Sequence, residues 1–176
     1  YGVTPDLCTL GKVVAGGFPL AAVAGRAELM AGFDPDNSES GNFMPQIGTL
    51  SGNPISTIAG LATLKILRRP GAFEQLFSLG RQLMNALGEL LQEAQISAQV
   101  VGEPPVFDVI FTDREITDYR SSLSGDKQTL KRFNQLLLER GIFRGDTKFY
   151  ISIVHTPEDL QRTIDALASA IDELKR

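Results

Sequence analysis

The fold follows from residues 7–19, LCTLGKVVAGGFP, and from the apolar run that comes directly after them. The runs Leu7–Leu10 and Leu20–Ala24 are short, apolar and separated by a turn with two glycines, a pattern typical of two neighbouring buried strands. Lys12 stands at the end of the first run. The stretch therefore predicts a sheet with a lysine amine presented where one strand ends.

Lys12 is a candidate nucleophile for a carbonyl group. A lysine in water is protonated and unreactive, whereas desolvation at a crowded strand end favours the neutral amine that forms a Schiff base. The glycines that follow let the backbone approach a ligand closely. On these local features alone, a solvated lysine at the rim of a sheet is the other interpretation.

The composition limits the class of protein. The sequence has 176 residues, a net charge of −4 and 43% hydrophobic residues, which suits one domain of ordinary size or two small ones. This balance does not favour nucleic acid as a partner, and the absence of a run of about 18 apolar residues predicts no membrane segment. Cys8 is the only cysteine, so we expect no disulfide and no metal site, and a cytoplasmic location.

The pattern along the chain predicts an α/β fold. The first part adds to the two strands a short helix over residues 26–33, a polar loop Asp34–Gln46 without secondary structure, and a small-residue helix from Pro54 to about Arg69. A loop this long is functional or a tolerated insertion. A long helix with one apolar stripe follows to about Gln95, and strands alternate with helices from there to the end of the chain.

Residues 48–54, GTLSGNP, predict the start of a helix, with Asn53 as the N-cap and Pro54 in the first position. A phosphate near Thr49 would meet its hydroxyl, its backbone amide and the positive end of the helix. A plain turn ahead of a helix is the other interpretation of the same residues.

Three stretches carry a resemblance to a known family: PDLCTLGKVVAGGFPLAAVAGRAELM (5–30), IGTLSGNPISTIAG (47–60) and KFYISIVHTPEDLQRTIDALASAI (148–171). They resemble the second half of a class III aminotransferase, a pyridoxal-phosphate family that includes glutamate-1-semialdehyde aminomutase. The resemblance implies a fold type I transferase. Residues 1–69 would be the later part of the large cofactor-binding domain, residues 70–95 a connecting helix, and residues 96–176 the small C-terminal α/β domain.

The resemblance also implies roles for single residues. Lys12 matches the catalytic lysine that holds pyridoxal 5'-phosphate as a Schiff base. Gly48 and Thr49 match the pair that reaches the cofactor phosphate of the neighbouring subunit, so a homodimer with a shared active site is expected. Arg144 is a candidate for binding a substrate carboxylate bidentately, with an ordinary surface arginine as the other interpretation.

The implied activity is amino transfer from an amino acid or amine to a keto or aldehyde acceptor, both of them small molecules. Glutamate-1-semialdehyde 2,1-aminomutase is the alternative, although the segment GDTKFYIS (145–152) departs from the aminomutase pattern. A third hypothesis is an inactive structural remnant, if the chain is complete as given, because the family's other cofactor-binding residues lie upstream of the lysine. A polypeptide mass above 19.1 kDa would favour the enzyme.

Overall fold

The computed structural model describes residues 2–175, and the chain divides into two compact units between Pro70 and Gly71. The sequence places the end of the first domain one residue earlier, at 69. Each unit has its own sheet and its own helices, and the elements are described unit by unit.

The first unit contains a two-stranded ribbon. β1 (Leu7–Leu10) pairs antiparallel with β2 (Ala22–Gly25), which confirms the predicted neighbouring strands. The predicted burial is wrong for this chain, since every residue of both strands is exposed. The physical reason is that residues 2–175 cover neither face of this ribbon.

Helical turns make up the rest of the first unit. A 3₁₀ turn, Lys12–Ala15, lies between the strands, and α1 (Ala27–Met30) with a further 3₁₀ turn accounts for the predicted short helix. The segment Asp34–Gln46 is not free of secondary structure, because a 3₁₀ helix spans Pro35–Ser40. Its start is capped by the Asp34 carboxylate, which accepts a hydrogen bond from the Asp36 amide at 3.0 Å. α2 (Pro54–Leu67) ends the unit.

The second unit contains a three-stranded antiparallel sheet with β4 in the centre. Its elements, in chain order, are α3 (Ala72–Glu93), β3 (Gln99–Glu103), β4 (Val106–Ile110), α4 (Tyr119–Ser122), α5 (Lys127–Glu139), β5 (Phe149–Tyr150) and α6 (Pro157–Leu174). In β4 the side chains of Phe107 and Val109 are buried, as expected for a strand with one face on a core.

A single hydrophobic core holds this unit together. Leu87 of α3, Phe133 of α5 and Leu167 of α6 are all fully buried in it. The ring of Phe133 meets that of Phe111 edge-on, with 5.4 Å between centroids. The helix predicted as a connection between domains therefore contributes to the core of the second unit as α3.

α6 begins at a capping box formed by Thr156 and Asp159. The Asp159 amide donates to Thr156 Oγ1 at 3.2 Å, and the Thr156 amide donates to Asp159 Oδ2 at 2.9 Å. Hydrogen bonding from the Thr156 amide is the main cause that lowers the pKa of the Asp159 carboxyl. The same arrangement satisfies backbone donors that the helix itself leaves unpaired.

Candidate active site

Lys12 occupies an unusual backbone conformation. Its φ is 53°, in the left-handed region, and Gly11 before it is fully extended. A residue with a Cβ loses roughly 1–2 kcal/mol in this region, and such residues are concentrated at functional sites. The conformation makes the strand turn sharply into the 3₁₀ turn at the point where the amine is presented.

The side chain of Lys12 is exposed, so residues 2–175 do not supply the crowding that the sequence predicts around the amine. The reason is the same as for the strands, because the ribbon that carries Lys12 is uncovered. Desolvation of this amine therefore requires a ligand or further polypeptide placed against the strand end.

α2 packs directly behind the Lys12 turn. Ala15 is fully buried, and the buried positions of α2 are small ones, Ser56 and Gly60. A Cβ at Gly16 would lie 2.9 Å from Thr63 Oγ1, which shows how closely the end of the turn approaches the helix. The structure thus brings together the lysine turn and the helix that starts at the candidate phosphate site.

The turn with Gly48 and Thr49 lies ahead of the N-terminus of α2. The Ser51 amide donates to the Gly48 carbonyl at 3.0 Å, and a Cβ at position 48 would come within 2.7 Å of Ser51 Oγ. Thr49 itself is exposed. The turn therefore packs closely against Ser51 at position 48 and presents the side chain at position 49.

The N-cap of α2 forms as predicted and modifies the expected phosphate contact. Asn53 Oδ1 accepts from the amides of Ile55 and Ser56 at 3.0 and 3.2 Å. These two N–H groups are therefore not open to a phosphate. A phosphate at this turn would be bound by Thr49 and by the favourable electrostatic potential of the helix start.

Arg144 lies in the second unit and is not a surface arginine. Its side chain is 2% exposed, its Nη2 bonds to Asp108 Oδ1 at 2.9 Å, and its guanidinium lies 4.3 Å from the centre of the Phe149 ring. Burial lowers the pKa of the guanidinium, while the charge and the hydrogen bond of Asp108 act in the opposite direction. Within residues 2–175, its Nε and Nη1 are buried without an acceptor.

Sequence reasoning did not identify Asp108 as the partner of Arg144. The available signal was a carboxylate within the apolar strand VFDVI (106–110), which indicates a buried partner elsewhere in the chain. Arg144 also lines a cavity of about 580 Å³ together with Tyr150 and His155. Arg144, whose guanidinium has only some of its hydrogen bonds formed, therefore lines a cavity that a small molecule can enter.

Among the described residues, no group of three or more His, Cys, Asp and Glu side chains is arranged to hold a metal ion. No helix of the same part of the chain is long and apolar enough to span a membrane.

Comparison with known sequences identifies relatives over nearly the whole chain. The family model described as aminotransferase class-III matches residues 1–172. Glutamate-1-semialdehyde 2,1-aminomutase of Roseiflexus castenholzii is 38% identical over 178 residues, covering 99% of this chain and 40% of that protein. The enzyme of the same name from Natranaerobius thermophilus is 35% identical, covering 98% of this chain and 40% of its own length. The chain thus spans about two fifths of these curated relatives.

Solved structures give the same result. An omega-transaminase from Sphaerobacter thermophilus matches with a TM-score of 0.91 and 34% identity, over 99% of this chain and 40% of that one. A transaminase with PLP bound matches with a TM-score of 0.83 and 31% identity, over 98% and 39% of the two chains. These matches confirm the predicted fold class. The chain belongs to the class III aminotransferases, pyridoxal-phosphate-dependent enzymes of fold type I.

Proposed function

We propose that the polypeptide containing this chain transfers an amino group from an amino acid or amine to a keto or aldehyde acceptor, both of them small molecules. The observation that carries the proposal is Lys12, an exposed lysine in a left-handed conformation at a strand end, in a chain of this family. When bound, pyridoxal phosphate supplies the electron sink for the reaction. The chain supplies the residues that hold the cofactor and move a proton.

Lys12 has two roles in this proposal. Its Nζ binds the cofactor covalently, and after release from it the same amine accepts and returns the proton that moves on the substrate. The amine is accessible for both roles, since Lys12 is exposed at the end of β1.

Changing Lys12 to Ala tests this assignment. Both roles disappear together, so we expect amino transfer to fall by several powers of ten and the visible absorption of the cofactor-loaded protein to change. Lys65→Ala is the matched control, because Lys65 also lies in the first unit but on α2. Near-original turnover by the Lys12→Ala protein would contradict the proposal.

Gly48 and Thr49 are proposed to bind the phosphate of the cofactor held by the neighbouring subunit. The exposed Thr49 hydroxyl at a helix start fits an anion, and an exposed amine at Lys12 fits the aldehyde of the cofactor. Thr49→Ala should weaken cofactor retention by about 1–3 kcal/mol, the range for a hydrogen bond to a charged group. Thr57→Ala is the control, since the Thr57 hydroxyl bonds within α2 to the Asn53 carbonyl. Equal cofactor affinity in the Thr49→Ala protein would remove Thr49 from the site.

Arg144 is proposed to bind a substrate carboxylate. Its buried Nε and Nη1 have no acceptor within residues 2–175, and Arg144 lines a cavity that a small molecule can enter. The change Arg144→Lys keeps the charge and loses the planar bidentate donor. We expect it to raise KM for acceptors that carry a carboxylate more than for acceptors without one. Equal effects on both acceptors would exclude this contact.

The alternative function is the aminomutase reaction, favoured by the names of the curated relatives. An aminomutase converts glutamate-1-semialdehyde alone, whereas a transaminase requires a separate acceptor. Incubation with glutamate-1-semialdehyde as sole substrate separates the two. Sustained turnover under these conditions would favour the aminomutase.

The assembly and the location are part of the same proposal. The family resemblance supports a homodimer, with the Asp34–Gln46 segment near the shared site. The single cysteine supports a location in the reducing cytoplasm. Sedimentation of the cofactor-loaded protein checks the first point. A loaded monomer would contradict it.

A further inference from the structure

α2 turns its small residues, not its large ones, toward the Lys12 turn. Ser56 and Gly60 are buried, whereas Ile58 and Leu61 on other faces of the helix are exposed. Small residues allow a helix to approach neighbouring backbone more closely than leucine or isoleucine would permit. The close packing behind the lysine therefore depends on the absence of large side chains at Ser56 and Gly60.

Position 60 has little room on the side that faces Leu20 and the turn. A Cβ built there would lie 2.6 Å from Leu20 Cδ2 and in ordinary contact, at 3.6 Å, with the carbonyl oxygen of Val14, which belongs to the turn itself. An Ala at this position has to displace the end of the Leu20 side chain, whereas a β-branched residue adds further atoms beside the carbonyl of the turn. Overpacking of this kind forces side chains off their rotamers and shifts the backbone.

The turn needs such a support because its first residue is strained. Lys12 is held at φ 53°, and a residue with a Cβ keeps this conformation only where the surrounding structure fixes it. The buried Ala15, three residues later in the same turn, and the close approach of Gly16 to Thr63 provide that fixation from the side of α2.

We infer that Gly60 is a positioning residue for Lys12: the missing side chain lets α2 hold the Lys12–Ala15 turn in its left-handed start, and this sets where the amine is presented. The inference rests on the proposed function of Lys12. Gly60 does not touch the cofactor and acts through the turn.

Gly60→Val in the intact protein, freed of its cofactor and then mixed with pyridoxal phosphate, tests the inference. We expect covalent attachment of pyridoxal phosphate to Lys12, trapped with borohydride, to become at least about tenfold slower, because a misplacement of about 1 Å costs up to roughly a hundredfold. The pH midpoint of the visible absorption should also shift, a readout that a loss of stability alone does not move. Gly88→Val is the matched control, since a Cβ at this position of α3 has nothing within 4 Å.

A smaller change keeps the test decisive if the valine variant does not fold. Gly60→Ala should shift the same midpoint by less, and adding Leu20→Ala, which removes the atom 2.6 Å away, should reverse that shift. An unshifted Gly60→Ala protein, or a Gly88→Val protein as slow as Gly60→Val, overturns the inference. If the wild-type protein attaches no cofactor at Lys12, the proposed function is wrong, and the inference that rests on it is wrong as well.

Discussion

The two units of this chain bury their apolar side chains in opposite ways. In the second unit, Leu87, Phe133 and Leu167 from three different helices are fully buried in one core. In the first unit, α2 buries Ser56 and Gly60 and leaves Ile58 67% exposed. The second unit is built around its own core, whereas the first is built around the turn that carries the candidate lysine.

This difference shows which unit contributes most of the hydrophobic free energy of folding. Apolar surface that stays in water contributes nothing to the hydrophobic free energy of folding. Within residues 2–175 the second unit therefore supplies most of the hydrophobic stabilisation. The first unit supplies exposed groups and the strained Lys12, which is a feature expected of a site rather than of a scaffold.

The largest expected effect comes from the core of the second unit. Phe133→Ala removes a ring that is 0% exposed and packed against Phe111, and should lower the free energy of unfolding by about 3–5 kcal/mol. Ile58→Ala, on the exposed side of α2, should change it by less than about 0.5 kcal/mol. Denaturant unfolding of the 176-residue chain checks both values. A loss at Ile58 as large as the loss at Phe133 would remove the contrast between the units.

A smaller effect is expected at the buried ion pair. Asp108→Ala leaves the Arg144 guanidinium without its carboxylate, and breaking a buried pair costs roughly 3–5 kcal/mol. Because the Asp108 side chain is 22% exposed, we expect about 2 kcal/mol, after allowance for solvent screening. Asp113→Ala, at an exposed position shortly after β4, is the control. Equal stability of the two variants would show that the pair is not coupled to folding.

The smallest effect concerns acid stability at the start of α5. The Asp126 carboxylate accepts hydrogen bonds from the Thr129 hydroxyl and from the Gln128 amide, and the former is the main cause that lowers its pKa. A lowered pKa stabilises the fold above the ordinary aspartate value of about 3.9, and this contribution is lost as the pH falls through the folded-state pKa. Asp126→Asn should therefore reduce the loss of stability as the pH falls below about 4. Urea unfolding midpoints measured at decreasing pH test this prediction. An equal loss of stability at low pH in the original and the Asp126→Asn proteins would contradict it.

Features set by neighbouring residues were predictable from the sequence. The caps at Asn53 and Thr156 follow from hydrogen bonds between residues two or three positions apart, so the local pattern contains all the required partners. The pairing of β1 with β2 was predictable because two apolar runs flank a turn with two glycines.

Features that depend on distant partners were not predictable. β5 contains only Phe149–Tyr150, since the Ile151 amide bonds to the Pro105 carbonyl outside the strand pairs and a turn follows. Arg144 and Asp108 are 36 positions apart, and no local pattern connects them. The prediction that β1 and β2 are buried was wrong for a related reason. Apolar composition alone does not reveal whether other polypeptide covers these strands.

The most direct test of the account is to locate the lysine that binds the cofactor. The chain has five other lysines, Lys65, Lys127, Lys131, Lys148 and Lys175. The intact protein is loaded with pyridoxal phosphate, reduced with borohydride, digested and mapped by mass spectrometry. We predict the pyridoxyl group on the peptide that contains Lys12, and a label on any other lysine would contradict the assignment of Lys12.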